Sequence, residues 1–333
     1  MNKFKKVGIS ALAGSLAAFS AQAVEMSVAG SAKVTYYNNN TDEVTGNPFG
    51  MNTSLAFSGS GDVNGYETTL TIVNNDANSG LSSAALSVDM GDMGKITFDQ
   101  GTGAGGLSTI DDKLPTAYEE SWDSMDAAAT TSSNGLVGMG NSGVFVYATE
   151  YAGTSISAQF GKGQSAVNSD DATGGVGGHG SSWDVALVNS SYAEGLTVGA
   201  GYGVIANGNG DQKQGSEDSD QHMTAFVTYA AGPVTIGYQQ THREDNTVGG
   251  IHESATGYGI AVNIMDGLSV SYNDREIEFA NGGSAHKTED ATGIALSYTM
   301  GSAKLAIQQN EVDNNDGGST SDESTEIALS LSF

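Results

Sequence analysis

Four things are scarce in this 333-residue sequence: cysteine, proline, basic residues and long apolar runs. Cysteine is absent, so disulfides cannot hold the fold together, and the chain depends on backbone pairing and packing. Only 3 prolines occur, against 47 glycines. After residue 24 no stretch approaches the run of about 18 apolar residues that a transmembrane helix requires. This excludes a helical membrane protein.

The charge is strongly one-sided, with 12 Lys and Arg against 39 Asp and Glu and a net charge of −27. Such a polyanion repels phosphate, which argues against nucleic acid as a partner. It attracts cations over a range set by the screening length, about 8 Å at physiological salt. Charge alone leaves open a simpler role in solubility or in adaptation to a salty environment.

The first 23 residues have the pattern of a secretory signal peptide. Three lysines precede an apolar run, Val7 to Phe19, and the small-residue motif AQA follows. The run is short for a bilayer-spanning helix of about 20 residues, so an uncleaved anchor is the less favoured alternative. We therefore expect an exported chain that begins near Val24, whose net charge falls from −27 to −30 because the three lysines are lost.

Short segments in which polar and apolar residues alternate, bounded by Gly, Asn, Asp and Ser, recur from residue 25 to the end. They predict sixteen strands, near 25–38, 50–60, 65–74, 80–90, 94–100, 143–151, 153–161, 182–193, 195–205, 221–230, 232–242, 255–265, 267–277, 291–299, 301–311 and 323–333. The connections alternate between tight turns, such as YAEG and YTMG, and long polar loops, such as NGNGDQKQGSEDSD. An even number of antiparallel strands with short turns at one end and long loops at the other indicates a membrane-spanning β-barrel.

The last segment, TEIALSLSF, fits the same pattern. Alternation puts Phe333 on the apolar face of the final strand, which would contact lipid. An aromatic ring is stable at the boundary between hydrocarbon and headgroups. The final strand would pair with the first, because a barrel in lipid leaves no open edge. The residues expected at this rim are Tyr192, Tyr229, Tyr298 and Phe333.

These features resemble the bacterial outer-membrane general-diffusion porins, in particular the alphaproteobacterial type. The resemblance covers residues 24–333 and is strongest in MGKITFDQGTGAGGLSTIDDKL, from Met93, and VYATEYAGTSISAQFG, from Val146. It implies an all-β fold, a 16-stranded antiparallel transmembrane β-barrel, assembled as a homotrimer, with a long third loop folded into the lumen. It also implies passive diffusion of small hydrophilic solutes across the Gram-negative outer membrane, in contact with lipid and lipopolysaccharide, and no enzyme activity.

The third long connection, residues 101–142, is rich in acids, with Lys113 opposing them in its first half. In the porin family this loop narrows the pore, so its acids are candidates for the negative side of a constriction. They are Asp111, Asp112, Glu119, Glu120, Asp123 and Asp126. A solvated external loop is the alternative. Asp111, Asp112, Glu119 and Glu120 could also supply oxygen ligands to calcium, although no calcium-loop consensus is present.

Strand alternation places five cations on the lumen side, as expected if a charge facing lipid costs about 2–4 kcal/mol. They are Lys33, Lys95, Arg243, Arg275 and Lys304. Proximity to turns predicts Lys95 and Lys304 near the periplasmic mouth and Arg243 at the other end, with Lys33 and Arg275 at mid-height. Since the cations are few, we predict a weak positive side and a pore that prefers cations.

Three other functions compete with a general diffusion channel. A substrate-selective porin would need aromatic or basic residues along the lumen, and strand alternation places few such residues on the lumen side. A structural or adhesive surface barrel would not conduct. A barrel protease or lipase would need a nucleophile next to a base, and no such spacing is found.

Overall fold

The computed structural model describes most of the chain after the predicted signal peptide. The described residues are 25–39, 47–75, 83–103, 105–123, 125, 142–162, 179–207, 219–244, 252–280 and 286–333. Residues 1–24 lie outside this set, so the predicted signal peptide stays a prediction. No helix among the described residues is long and apolar enough to cross a membrane.

Sixteen strands account for most of the described residues. They are β1 (Glu25–Asn39), β2 (Phe49–Val63), β3 (Tyr66–Asn75), β4 (Ser83–Asp89), β5 (Lys95–Gln100), β6 (Ser142–Tyr151), β7 (Thr154–Gly161), β8 (His179–Asn189), β9 (Leu196–Asn207), β10 (Ser219–Ala231), β11 (Val234–Glu244), β12 (His252–Met265), β13 (Leu268–Ala280), β14 (Glu289–Met300), β15 (Ala303–Asp313) and β16 (Asp322–Ser332). Three short 3-10 helices span Gly91–Met93, Gly106–Thr109 and Asn315–Gly317. The predicted 16-stranded antiparallel barrel is confirmed.

Each strand pairs with its neighbours in sequence, and β1 pairs with β16, so the sheet closes on itself. At the seam Gly30 and Phe333 exchange both backbone hydrogen bonds, at 2.7 and 2.9 Å. The Phe333 ring packs over Gly30, where a β-carbon would meet it. Glycine at this position therefore lets the last aromatic ring cover the junction between the first and last strands.

Tight turns join the strands at one end of the barrel. The glycines that close the repeated turns, Gly195, Gly232, Gly267 and Gly301, have φ between 59° and 77°, a region that only glycine adopts readily. At Gly267 a β-carbon would also stand 2.5 Å from the carbonyl oxygen of Thr299 on the neighbouring hairpin. These glycines explain why the same turn recurs along the second half of the chain.

The two faces of the barrel differ in chemistry. Large apolar side chains, such as Met26, Met51 and Leu70, are exposed on the outer face, while the alternate residues point inward. Of the aromatic residues expected at the turn end, Phe333 and Tyr229 are exposed on the outer face. Tyr192 is also exposed, but it lies in a turn, because β8 ends at Asn189 and not at residue 193 as predicted. Tyr298 has outward parity on β14 and is half-buried.

Candidate functional site

The connection that follows β5 does not stay at the end of the barrel. Near its start, the Leu107 amide donates a 2.6 Å hydrogen bond to Asp184 of β8, and the Gly106 amide donates one of 2.8 Å to Ser157 of β7. Leu107 packs in a buried cluster with Ile110. The chain is thus attached to the inward-pointing side chains of β7 and β8.

The middle of the connection continues along the same face. The Lys113 amide donates to the side-chain carbonyl of Gln239 on β11 at 2.8 Å. The Ala117 amide donates to the Ser271 hydroxyl of β13, also at 2.8 Å. Pro115 lies over Gly259 of β12, where a β-carbon would come within 2.9 Å of its ring. Glycine on the inner face lets the connection lie close to the wall.

The last described part reaches β15 and β16. The Glu119 amide donates to Gln308 at 3.1 Å, and Asn310 donates through its side-chain amide to the carbonyl oxygen of Asp123 at 2.8 Å. Ser324 of β16 contacts the sulfur of Met125 at 3.1 Å. One connection therefore touches the inner face of strands from β7 to β16. Because the sheet is closed, a segment with these contacts lies inside the barrel, and we call residues 105–123 and 125 the lumen loop.

The lumen loop covers one part of the wall and leaves another open. Inward residues of β14–β16, such as Ala291, Gln308 and Ala328, are buried. Inward residues of β2 and β3, such as Ser58 and Thr71, are only half-buried, and their hydroxyl oxygens lie 3.0 Å apart. The open space of the lumen therefore lies between the loop and a wall of small hydroxyl side chains.

Glu119 is the loop acid that pairs directly with a cation of the wall. Its Oε1 lies 2.7 Å from Nζ of Lys33 on β1. Tyr118 donates its hydroxyl proton to Glu326 of β16 at 2.6 Å, and Lys304 Nζ lies 5.4 Å from the centre of the Tyr118 ring. Lys304 is the second residue of β15, next to the tight turn as expected, and its side chain extends from there to the loop.

Glu120 belongs to a group of carboxylates. Burial, a side-chain hydrogen bond with Asp123 and the charges of Asp112 and Asp123 raise its pKa to about 8. Burial also raises the pKa of Asp111 and of Glu119, although Lys33 lowers the latter. Glu120 consequently holds a proton at neutral pH, and the loop carries less negative charge than its composition indicates.

The two arginines expected in the open lumen are paired on the wall. Arg275 is 2% exposed, forms an ion pair with Glu289 of β14, and lies 4.5 Å from the centre of the Trp122 ring. Arg243 of β11 lies 3.2 Å from Glu253 of β12. Arg275 points to the lumen side of the barrel as predicted, but the lumen loop lies over it, so its guanidinium is not exposed to the open lumen.

Other predicted residues are placed as follows. Lys95 begins β5, opposite Asp89, next to a tight turn. Asp126 lies outside the described residues. Among those that are described, no group of three or more His, Asp or Glu side chains is arranged to hold a metal ion. Calcium binding at Asp111, Asp112, Glu119 and Glu120 stays a prediction.

The amide side chains that hold the loop, Gln239, Gln308 and Asn310, were not predicted from the sequence. The sequence does contain a signal for them, because each is a neutral amide side chain at an inward position of a strand. The inward glycines under the loop, Gly259 and Gly293, carried a second signal. Their absent side chains admit Pro115 and Ser121 respectively.

Neither a family model nor a curated protein sequence matches the chain. Solved structures do match. The anion-selective porin from Comamonas acidovorans aligns with a TM-score of 0.65 and 12% identity, over 93% of this chain and 100% of its own. The chain has the porin fold. A porin mutant from Rh. blastica gives a TM-score of 0.61 and 12% identity, and the trimer form of the Vibrio cholerae outer-membrane protein OmpT gives 0.62 and 14%, each over 93% of this chain and 100% of its own.

Proposed function

We propose that the chain is a passive, water-filled channel of the Gram-negative outer membrane that admits small hydrophilic solutes and prefers cations. The observation that supports this most directly is the lumen loop, which presents acids to an open space. The wall across that space carries Ser58, Thr71 and similar hydroxyl side chains, which are polar enough to hold water and carry no charge.

The sign of the preference rests on charge and not on fold, since one solved porin of this fold is described as anion-selective. Lys33 offsets Glu119, and Glu120 is protonated at neutral pH. Asp112 and Asp123 still contribute negative charge on the loop side. Because a lumen of one sign concentrates counter-ions, we expect potassium to pass more readily than chloride.

Membrane insertion and assembly belong to the same proposal. The outer face is apolar, and large exposed apolar side chains run the length of β1 and β2, from Met26 at the turn end to Phe49 and Met51 at the other end. Contiguous apolar patches of this kind mark contact with lipid or with another protein. We propose that the barrel forms a homotrimer and that the rest of its outer face contacts lipid and lipopolysaccharide. OmpT, one of the similar structures, has been solved in a trimer form.

The test is single-channel recording of the refolded protein in a planar bilayer with a KCl gradient. We expect discrete open steps and a reversal potential on the cation side. The double variant Asp112→Asn, Asp123→Asn should move that potential toward zero, while Asp92→Asn, which removes an acid from a tight turn, should leave it unchanged. Absence of conductance would exclude a channel, and equal effects of the two variants would place the selective charges outside the loop.

A further inference from the structure

A groove of about 400 Å³ opens on the outer face of β10–β13, away from the lumen. One side is a row of directly paired residues that crosses the four strands: Tyr229, Ile236, Ile260 and Tyr272. Between the rows, Gly237 and Gly259 face each other and form the floor. The groove is therefore lined by aliphatic side chains between two tyrosines.

The other side is a second row, two residues farther from the tight turn on each strand: Val227, Tyr238 and Tyr258. Asp274 of β13 continues this row directly opposite Tyr258, just beyond the lining. The rings of Tyr238 and Tyr258 lie 5.2 Å apart, centre to centre. The Tyr272 hydroxyl donates to Asp274 at 3.3 Å. One end of an apolar groove thus combines tyrosine rings with a carboxylate.

The surroundings of that end are negative as well. Glu276 is directly opposite Asp290, and Asp290 is directly opposite Asp313, all with outward parity. Within the described parts of β12–β16, no Lys or Arg in a strand has outward parity, since Arg275 and Lys304 point inward. Like charges across antiparallel strands destabilise a sheet. A positively charged occupant is complementary to this end, whereas an anionic one is repelled.

We propose that this groove binds a membrane lipid with a quaternary ammonium headgroup. Aromatic faces, together with a nearby carboxylate, are the chemistry that recognises quaternary ammonium ions. The acyl chain would pack along Ile236 and Ile260, and the headgroup would lie against Tyr258 and Asp274. This inference rests on the proposed membrane insertion of the barrel.

A second aromatic pair on the outer face provides a matched control. Trp183 and Tyr202 lie 5.7 Å apart, but the Tyr202 hydroxyl donates to Gln221, which is neutral. If the rings served only as interfacial anchors, both pairs would interact with lipids in the same way. A preference for a cationic headgroup requires the pair that adjoins the carboxylate.

The experiment is native mass spectrometry of the refolded barrel in a neutral alkyl maltoside, with equimolar lysophosphatidylcholine and lysophosphatidylglycerol of one acyl chain. We expect about fivefold more retained lysophosphatidylcholine. Asp274→Asn and Tyr258→Leu should each abolish most of that preference, and Tyr202→Leu should leave it intact. Equal retention of the two lipids, or equal loss in Tyr202→Leu, would overturn the proposal.

Conductance of the same preparation separates this inference from the proposed function. A barrel that conducts but has no headgroup preference overturns the lipid site alone. A barrel that prefers lysophosphatidylcholine but never conducts supports the lipid site and overturns the channel.

Discussion

Glu120→Gln should remove a pH-dependent change in ion selectivity that the unmodified protein shows near pH 8. Burial next to Asp123 and Asp112 raises the pKa of Glu120 to about 8. Below this value the side chain is neutral, and above it the lumen loop gains one negative charge. Selectivity for cations should therefore rise as the pH increases through 8.

The size of the effect follows from Coulomb's law. A unit charge about 7 Å from a permeating ion contributes about 0.6 kcal/mol in water. A screening length of about 8 Å reduces this to about 0.25 kcal/mol. Cations are favoured and anions disfavoured by that amount, so the ratio of their permeabilities should change about twofold.

The same proton affects how firmly the loop is held. Between its ordinary pKa of 4.5 and the raised value of about 8, Glu120 binds a proton in the native barrel and releases it when the loop detaches. The detached state binds fewer protons over this range, so attachment of the loop weakens as the pH rises from 4.5 to 8. Current fluctuations should increase in the same range.

The assay is the reversal potential in a KCl gradient, recorded from pH 6.5 to pH 9. Glu120→Gln should give a flat profile at the value that the unmodified protein has at low pH. The control is Glu150→Gln, an exposed acid next to a turn at the end of β6, which should keep the twofold change. A change of the same size in Glu120→Gln would refute the assignment of the titrating group.

Three further substitutions test other parts of the structure. Gly30→Val should lower the thermal unfolding midpoint followed by circular dichroism, because the valine side chain would overlap the Phe333 ring and overpacking costs about 1–3 kcal/mol. The control is Gly61→Val, at a position with open space around it. Trp122→Ala removes the ring that packs against the buried Arg275 guanidinium, so the lumen loop should be held less firmly and single-channel steps should be larger and noisier. Unchanged steps would contradict a contribution of this contact to holding the loop. Lys33→Gln removes the wall cation that offsets Glu119 and should raise the cation-to-anion permeability ratio about twofold, whereas a fall would refute the charge argument.

The barrel could be predicted from the sequence because alternation reports directly on a strand. Successive side chains of a strand point to opposite faces, so a run such as Ile327 to Phe333 specifies both the strand and its lipid-facing side. The main deviation at a site residue is at the end of β8, where the chain leaves the sheet at Asn189 and Tyr192 lies in the turn. Turn residues extend the polar–apolar pattern without backbone pairing, and a strand ends where that pairing stops.

The path of the lumen loop could not be predicted in the same way. Parity gave the face of Arg275 correctly, but not that Trp122 would lie against it. It gave the face of Lys304, but not the reach of its side chain to Tyr118. Which wall residues the loop covers depends on contacts between residues that are more than a hundred positions apart, and no local sequence pattern reports on such contacts.

The bonds that attach the loop explain how its charges can face water without releasing it. Gln239, Gln308 and Asn310 bind loop backbone through neutral amides, which neither titrate nor are screened by salt. If the loop were held by its carboxylates, every change of charge would also move it. Because neutral groups hold most of it, replacing Asp112 should alter selectivity with little change of pore size, whereas replacing Gln308 by Ala should alter pore size and leave the number of charges unchanged.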